Sequence, residues 1–283
     1  MAANVWIGPE IQYGVRDRTD FWNSLVVQPA MDPGAFVLQE QPAVRQIRLT
    51  QMLALDAYNL ATGVKRLTYE SVIRPVDNPL RTLPQVDELM AGIRFAGYEQ
   101  RITLAEVAAD AILAEVWNLI AVNPGGVLLF PTTPGIAPVD YFEPVDAAHQ
   151  TIDAHHVRLK ITGERRYKVG YPAVHTLGRI AYFNALSPDR SYLLVRCFFN
   201  NPSSHYADEP PTLPGRSGSS LHVYNDGGGF GGFGEIECNG QAIGARTERT
   251  QSADQFILWL FAGPAARLRQ ISLRLVGVDP HEE

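Results

Sequence analysis

Two glutamates stand two residues apart in the run Gly234-Glu235-Ile236-Glu237-Cys238. In an extended chain, side chains alternate between faces, so both carboxylates share one side while Gly234, Ile236 and Cys238 share the other. Like charges held close raise the pKa of one of them, which suits proton transfer near neutral pH. On a solvated face the same pair does nothing but keep a protein soluble. The neighbouring residues favour a site: Tyr224, Phe230 and Phe233 flank a glycine-rich tract from Asn225 to Gly234. Aromatic walls of that kind stack against the apolar C–H faces of sugar rings. The tract imitates a phosphate cradle, but a cradle needs a following helix whose N–H groups face the ligand. The residues from Glu235 to Cys238 read as a strand instead, so the glycines are expected to form a tight, bulged connection or a point where backbone approaches a ligand.

Other reactive side chains are less organised. The seven histidines are His149, His155, His156, His175, His205, His222 and His281. His175 follows a turn punctuated by Gly170 and Pro172, and is read either as a catalytic acid or as a hydrogen-bonded surface residue. His155 and His156 point to opposite faces of a strand, and His281 falls in a terminus expected to fray. No metal-ligand spacing emerges, and there is neither Cys-x-x-Cys, His-Glu-x-x-His nor Gly-x-Ser-x-Gly. Cys197 and Cys238 sit among apolar residues and are expected as buried thiols. The chemistry expected is therefore acid–base, with no metal and no cofactor called for.

The elements that must hold these groups are mostly strands. Short apolar runs rich in β-branched and aromatic residues recur between Gly, Pro, Asn and Asp clusters. They predict strands over 44–55, 65–76, 93–104, 114–122, 126–130, 156–162, 179–184, 192–200, 220–225, 232–237, 254–262 and 268–276. The run Val116 to Val122, followed by Asn123-Pro124-Gly125-Gly126, predicts a hairpin returning through Val127 to Phe130. Helical signal is confined to a turn or two over 84–90 and an ambiguous Ala-rich stretch after Leu104. No Gly/Ser linker interrupts the chain, which predicts one continuous all-β domain.

Composition narrows the partners. The 283 residues carry 24 Lys+Arg against 30 Asp+Glu, for a formal charge of -6, and 46% are apolar. Such a chain buries a full core, and nothing in it resembles a surface built for nucleic-acid phosphate or anionic lipid. The densest basic stretch, from Arg158 to Lys168, is broken by Glu164. The first residues form no secretory leader and no apolar run is long enough to span a membrane, so a cytoplasmic location is expected. Sheet edges are often covered by a partner, which leaves room for a homodimer.

Several stretches together resemble the galactose mutarotase-like (aldose 1-epimerase) superfamily, in particular its uncharacterised bacterial branches. They are Gln28 to Phe36, Glu115 to Leu119 continuing through Asn123 to Thr132, Tyr167 to Gly170, Leu221 to Asp226, and Phe233 to Glu237. The resemblance implies a β-supersandwich whose concave face holds a small carbohydrate. It also implies a late-strand glutamate as the base at the anomeric hydroxyl, a position matched by Glu237, with Glu235 beside it to set its pKa or bind a hydroxyl. A central-strand histidine acid is implied as well, but the segment Glu115 to Val122 offers Trp117 and Asn118 in its place. His175, His156 and Lys168 are the substitutes considered. On this basis Trp117, Tyr224 and Tyr98 are expected to stack on the sugar, and Lys168, Arg74 and Asn118 to bind its hydroxyls or an anionic group. An aldose 1-epimerase-like isomerase is the expected function. A non-catalytic carbohydrate-binding or sensing protein, and a lyase or isomerase acting on an oxidised sugar, are the alternatives.

Overall fold

A computed structural model describes residues 2–244 and 247–280, so His281 lies outside the described residues. Strands dominate. The first eight are β1 (Ala2–Gly8), β2 (Val37–Gln41), β3 (Gln46–Ala57), β4 (Gly63–Pro75), β5 (Arg94–Glu106), β6 (Glu115–Val122), β7 (Gly126–Pro131) and β8 (Val139–Asp140). The remainder are β9 (Gln150–Ile152), β10 (His156–Ile161), β11 (Arg166–Pro172), β12 (Arg179–Ser187), β13 (Arg190–Phe198), β14 (Ser219–Asp226), β15 (Gly234–Asn239) and β16 (Gln251–Gly263). Among the described residues three short α-helices accompany them: α1 (Glu10–Tyr13), α2 (Val86–Leu89) and α3 (Ala265–Leu275).

The strands form two antiparallel sheets. One has six strands in the order β1-β6-β15-β14-β11-β8, and the other has ten in the order β2-β3-β4-β5-β16-β13-β12-β7-β10-β9. Alternation explains how they meet. In β6, Val116, Ile120 and Val122 point to the other sheet, as do Ile236 and Cys238 of β15 and Leu221 and Val223 of β14. They join Leu128, Phe130, Leu159, Leu194 and Phe256 of the larger sheet in one buried cluster. The all-β expectation therefore describes the molecule, as two large antiparallel sheets packed face to face.

A polar rod crosses this apolar interface. The guanidinium of Arg196, fully buried on β13, donates to Ile236 O at 3.0 Å and Asn118 O at 2.9 Å, and also to the Asn118 side chain. Asn118 in turn donates to Gln100 Oε1 at 3.0 Å, and Gln100 to Ser71 Oγ at 3.0 Å. Every backbone carbonyl so satisfied is one that burial would otherwise penalise. Arg196 thus pins the segment between Glu235 and Glu237 to the opposite sheet.

Two expectations are corrected. The stretch over 268–276 is not a strand but lies in α3, where Leu268, Ile271, Ser272 and Leu275 are buried. Their spacing is that of one helix face, and Pro264 in the cap position begins it. The face covers the outside of the larger sheet, against Leu129, Ala181, Leu193 and Phe261. The second correction concerns β6 and β7, which form no hairpin. β6 pairs with β1 and β15, whereas β7 pairs with β10 and β12. The Asn123 to Gly125 turn carries the chain from one sheet to the other, held by Asn184, whose amide donates to Pro124 O at 2.9 Å. A turn signal is the same whether the returning strand pairs with its predecessor or crosses to another layer.

Candidate functional site

The outer face of the six-stranded sheet is the face the core does not use. Along β6, β15, β14 and β11 it presents Glu115, Trp117, Glu235, Glu237, Asn239, His222, Tyr224 and Lys168. Strand register places them side by side: Glu237 pairs with Leu119 and His222, Glu235 with Tyr224, and Lys168 with Tyr224. The N-terminal segment then folds over this face. β1 brings Trp6 opposite Trp117, with ring centroids 5.3 Å apart, and α1 lowers Glu10 onto Lys168. Gln12, Tyr13 and Gln28 tie the segment down through hydrogen bonds to Ala61 O, Leu113 O and Asp56 O at 2.7, 2.7 and 2.8 Å.

Between the sheet and this cover lies a cavity of about 320 Å³. Lys168 Nζ lies 2.7 Å from Glu10 Oε2, 2.9 Å from Glu237 Oε2 and 3.8 Å from Asp208 Oδ2. The Trp117 indole donates to the same Glu237 oxygen at 2.8 Å. Burial alone works against the ammonium charge, but Glu10, Glu237 and Asp208 outweigh it and hold the Lys168 pKa well above the usual range. Burial, opposed in part by Lys168 and the indole, leaves the Glu237 pKa raised. Glu235 has no such cation in contact. Burial, and then the charge of Glu237, push it up to about 8. The two carboxyl groups titrate as a pair, and the contacts of Glu237 with Lys168 and the Trp117 indole favour the charge there over Glu235.

A second row of polar groups stands behind. Tyr141 and His222 Nε2 are 2.8 Å apart, His222 Nδ1 and Asn239 Oδ1 3.0 Å, and the Asn239 amide donates to Glu115 Oε1 at 2.7 Å. Glu115 also accepts the Ala207 and Asp208 backbone N–H groups at 2.7 and 3.2 Å. With Asn239 donating to Glu115, its oxygen accepts the hydrogen bond of His222 Nδ1–H, and Nε2 accepts from the Tyr141 hydroxyl. Burial, reinforced by Lys168, holds the His222 pKa well below its ordinary value, so the ring is neutral. Gly170 makes room for it: a Cβ there would lie 2.9 Å from His222 Cδ2. This row fixes the 206–209 loop and with it Asp208, whose Oδ1 accepts the Glu10 backbone N–H at 3.0 Å.

The walls are aromatic and aliphatic. Phe21, Trp22 and Phe142 pack on one another with centroids 4.8 to 5.3 Å apart, and the Arg166 guanidinium lies 4.2 Å from the Trp22 ring. The glycine tract forms the β14–β15 connection. Asp226 Oδ2 accepts the Phe230 and Gly232 N–H groups at 2.7 and 2.9 Å, and Gly227, Gly228, Gly231 and Gly232 all have positive φ. It is a tight turn as expected, and it delivers Phe230 and Phe233 to the cavity wall.

Of the residues singled out from sequence, Glu235, Glu237, Trp117, Lys168 and Tyr224 meet around this cavity. The others do not. Asn118 faces the core, because it is the next residue after Trp117 on one strand. Arg74 pairs with Glu99 at 2.7 Å on the larger sheet, and Tyr98 neighbours it there. His175 sits in the turn after β11, its Nδ1 2.7 Å from Thr133 Oγ1. His156, on β10, lies in the larger sheet. Glu10, Trp6, Phe21, Trp22, Phe142, Asp208, Tyr141 and His222 were missed. The adjacent aromatic pair Phe21-Trp22 was the one local signal among them; the rest are brought in by contacts between segments distant in sequence. Among the described residues no group of three or more potential metal ligands clusters, and no helix is long and apolar enough to cross a membrane. Both cysteines are free thiols.

No family model matches the chain, and no curated protein matches it. A solved structure from Escherichia coli K12, provisionally assigned as an aldose 1-epimerase, is similar over 91% of this chain and 83% of its own, with a TM-score of 0.45 and 8% identity. Likeness at that distance leaves the site to be argued from its own geometry.

Proposed function

We propose that the chain is an acid–base isomerase acting on a neutral cyclic sugar with a free anomeric hydroxyl, an activity of the aldose 1-epimerase type. The observation that supports this is the pairing, on one strand face, of Glu237, held by Lys168 and the Trp117 indole, with Glu235, which makes no ion pair, inside an aromatic-walled cavity. Residues two apart on a strand are about 6.6 Å apart along it, a separation that accommodates an O–C–O unit hydrogen-bonded at each end. Glu237 takes the proton of the anomeric hydroxyl while Glu235 gives its proton to the ring oxygen. The bond between anomeric carbon and ring oxygen breaks, leaving an open-chain aldehyde. After rotation about the next carbon–carbon bond, Glu235 takes its proton back from the attacking hydroxyl and Glu237 returns its own to the new anomeric oxygen. Both groups end as they began. Lys168 and Trp117 hold the charge on Glu237 between cycles, and the ring stacks on aromatic walls.

This arrangement supplies an acid without a histidine. Glu235 fills the role sought in His175, and Lys168 is a partner of the base rather than a ligand for an anion. Glu10, Asp208 and Glu237 surround one cation, so a uronate or a sugar phosphate meets repulsion, which weighs against a lyase of oxidised sugars. Ligand-observed NMR on neutral aldoses tests the proposal, because saturation transfer reports binding and exchange reports anomer interconversion. Glu237→Gln is expected to abolish accelerated exchange and leave binding within a few-fold. Undiminished exchange in that variant removes Glu237 from the mechanism. Binding without exchange in the parent protein makes it a carbohydrate-binding protein.

A further inference from the structure

We infer that the sugar bears an uncharged apolar substituent, an aryl or short alkyl ether or ester, at a carbon away from the anomeric centre. The inference rests on the acid–base reading of the same cavity. Chemistry divides the cavity in two. Its polar groups converge at the floor, where Lys168 and Glu237 are 2% and 1% exposed. Toward solvent the lining turns apolar through Phe21, Trp22, Leu25, Val27, Phe142 and Phe230. Trp22 is 39% exposed, Val27 51% and Phe230 61%, so these side chains form the mouth.

A bare hexose carries hydroxyls around its whole ring, and each needs a partner once it is desolvated. The side chains at the mouth offer little: apart from the Trp22 indole N–H and the Arg166 guanidinium on the Trp22 ring they carry no polar atom. They do offer a preformed wall, because Phe21, Trp22 and Phe142 are already packed on each other, so that little ordering is left for binding to impose. A volume of about 320 Å³ takes one ring and one compact group, at the small end of ligand cavities. The anomeric hydroxyl has to reach Glu237 on the floor, so the substituent projects from the far side of the ring. The carboxylates on the floor disfavour an anionic one.

The test compares D-glucose, D-galactose and D-mannose with their 6-O-benzyl ethers on the full chain, by saturation transfer and by anomer exchange. At least one benzyl ether is expected to bind about tenfold or more tighter than its parent sugar, the gain from burying one ring face. Trp22→Ala should bring that ratio toward one. Exchange of the parent sugars with no gain from the benzyl group overturns the inference and leaves the acid–base reading standing. Tighter benzyl-ether binding without exchange of any sugar supports the divided cavity and overturns the acid–base reading. Failure of all six compounds to bind or exchange overturns both.

Discussion

Glu235→Gln separates donation of a hydrogen bond from donation of a proton. Glutamine keeps the length of the side chain and its capacity to donate a hydrogen bond, but it has no proton to transfer. Loss of a positioned general acid lowers turnover roughly 10²–10⁴-fold, about 3–5 kcal/mol of barrier. The wild-type protein loses its acid as pH rises through the Glu235 value of about 8, so its turnover falls on the alkaline side. Residual turnover in the variant has no such limb. Stability supplies an independent readout. Below the ordinary carboxyl value of 4.5 both the folded and the unfolded chain hold the proton, and the group contributes no pH dependence. Between there and about 8 the unfolded chain releases it and the folded chain does not, so wild-type stability falls as pH rises and levels off above that point. The loss is on the order of a few kcal/mol. Glutamine removes it. Urea midpoints of variant and wild type should therefore diverge in the variant's favour from pH 4 to pH 9, while anomer exchange measured by NMR falls. Parallel stability curves, or an unchanged alkaline limb, would refute the assignment of the proton to Glu235.

Trp117→Phe keeps a ring against Trp6 but removes an N–H that favours the charged form of Glu237, so the acid limb of the turnover profile should move to higher pH. An unmoved limb would mean that the indole does not tune the base. Lys168→Met strands Glu10, Glu237 and Asp208 in a buried site and should cost about 3–5 kcal/mol in urea unfolding at pH 8, with a smaller cost at pH 5, below the Asp208 value of about 7. His175→Ala should leave exchange rate and pH profile at wild-type values, since that imidazole is bonded to Thr133 away from the cavity. A lost alkaline limb in this variant would return the role of acid to histidine.

What the sequence determined by itself is what depends on a few consecutive residues. Alternation in Gly234 to Cys238 decided that Glu235 and Glu237 share a face, because backbone geometry leaves successive side chains no other choice. The same rule separates Trp117 from Asn118, and the strand periodicity marked most of the β16, β13 and β3 ladders. Glycine chemistry marked the turn before β15. Tertiary structure decided everything that depends on which strands are neighbours. Nothing local distinguishes a turn that makes a hairpin from one that crosses to the other sheet, so the separation of β6 from β7 was invisible. Nor does anything near Lys168 announce Glu10 or Asp208, which lie 158 and 40 positions away along the chain and reach it only because β1 pairs with β6 and the 206–209 loop hangs from Glu115. The expectation of acid–base chemistry came from the residue types. Which carboxyl is favoured to carry the charge depends on burial and on the position of one lysine, and these exist only in the folded chain.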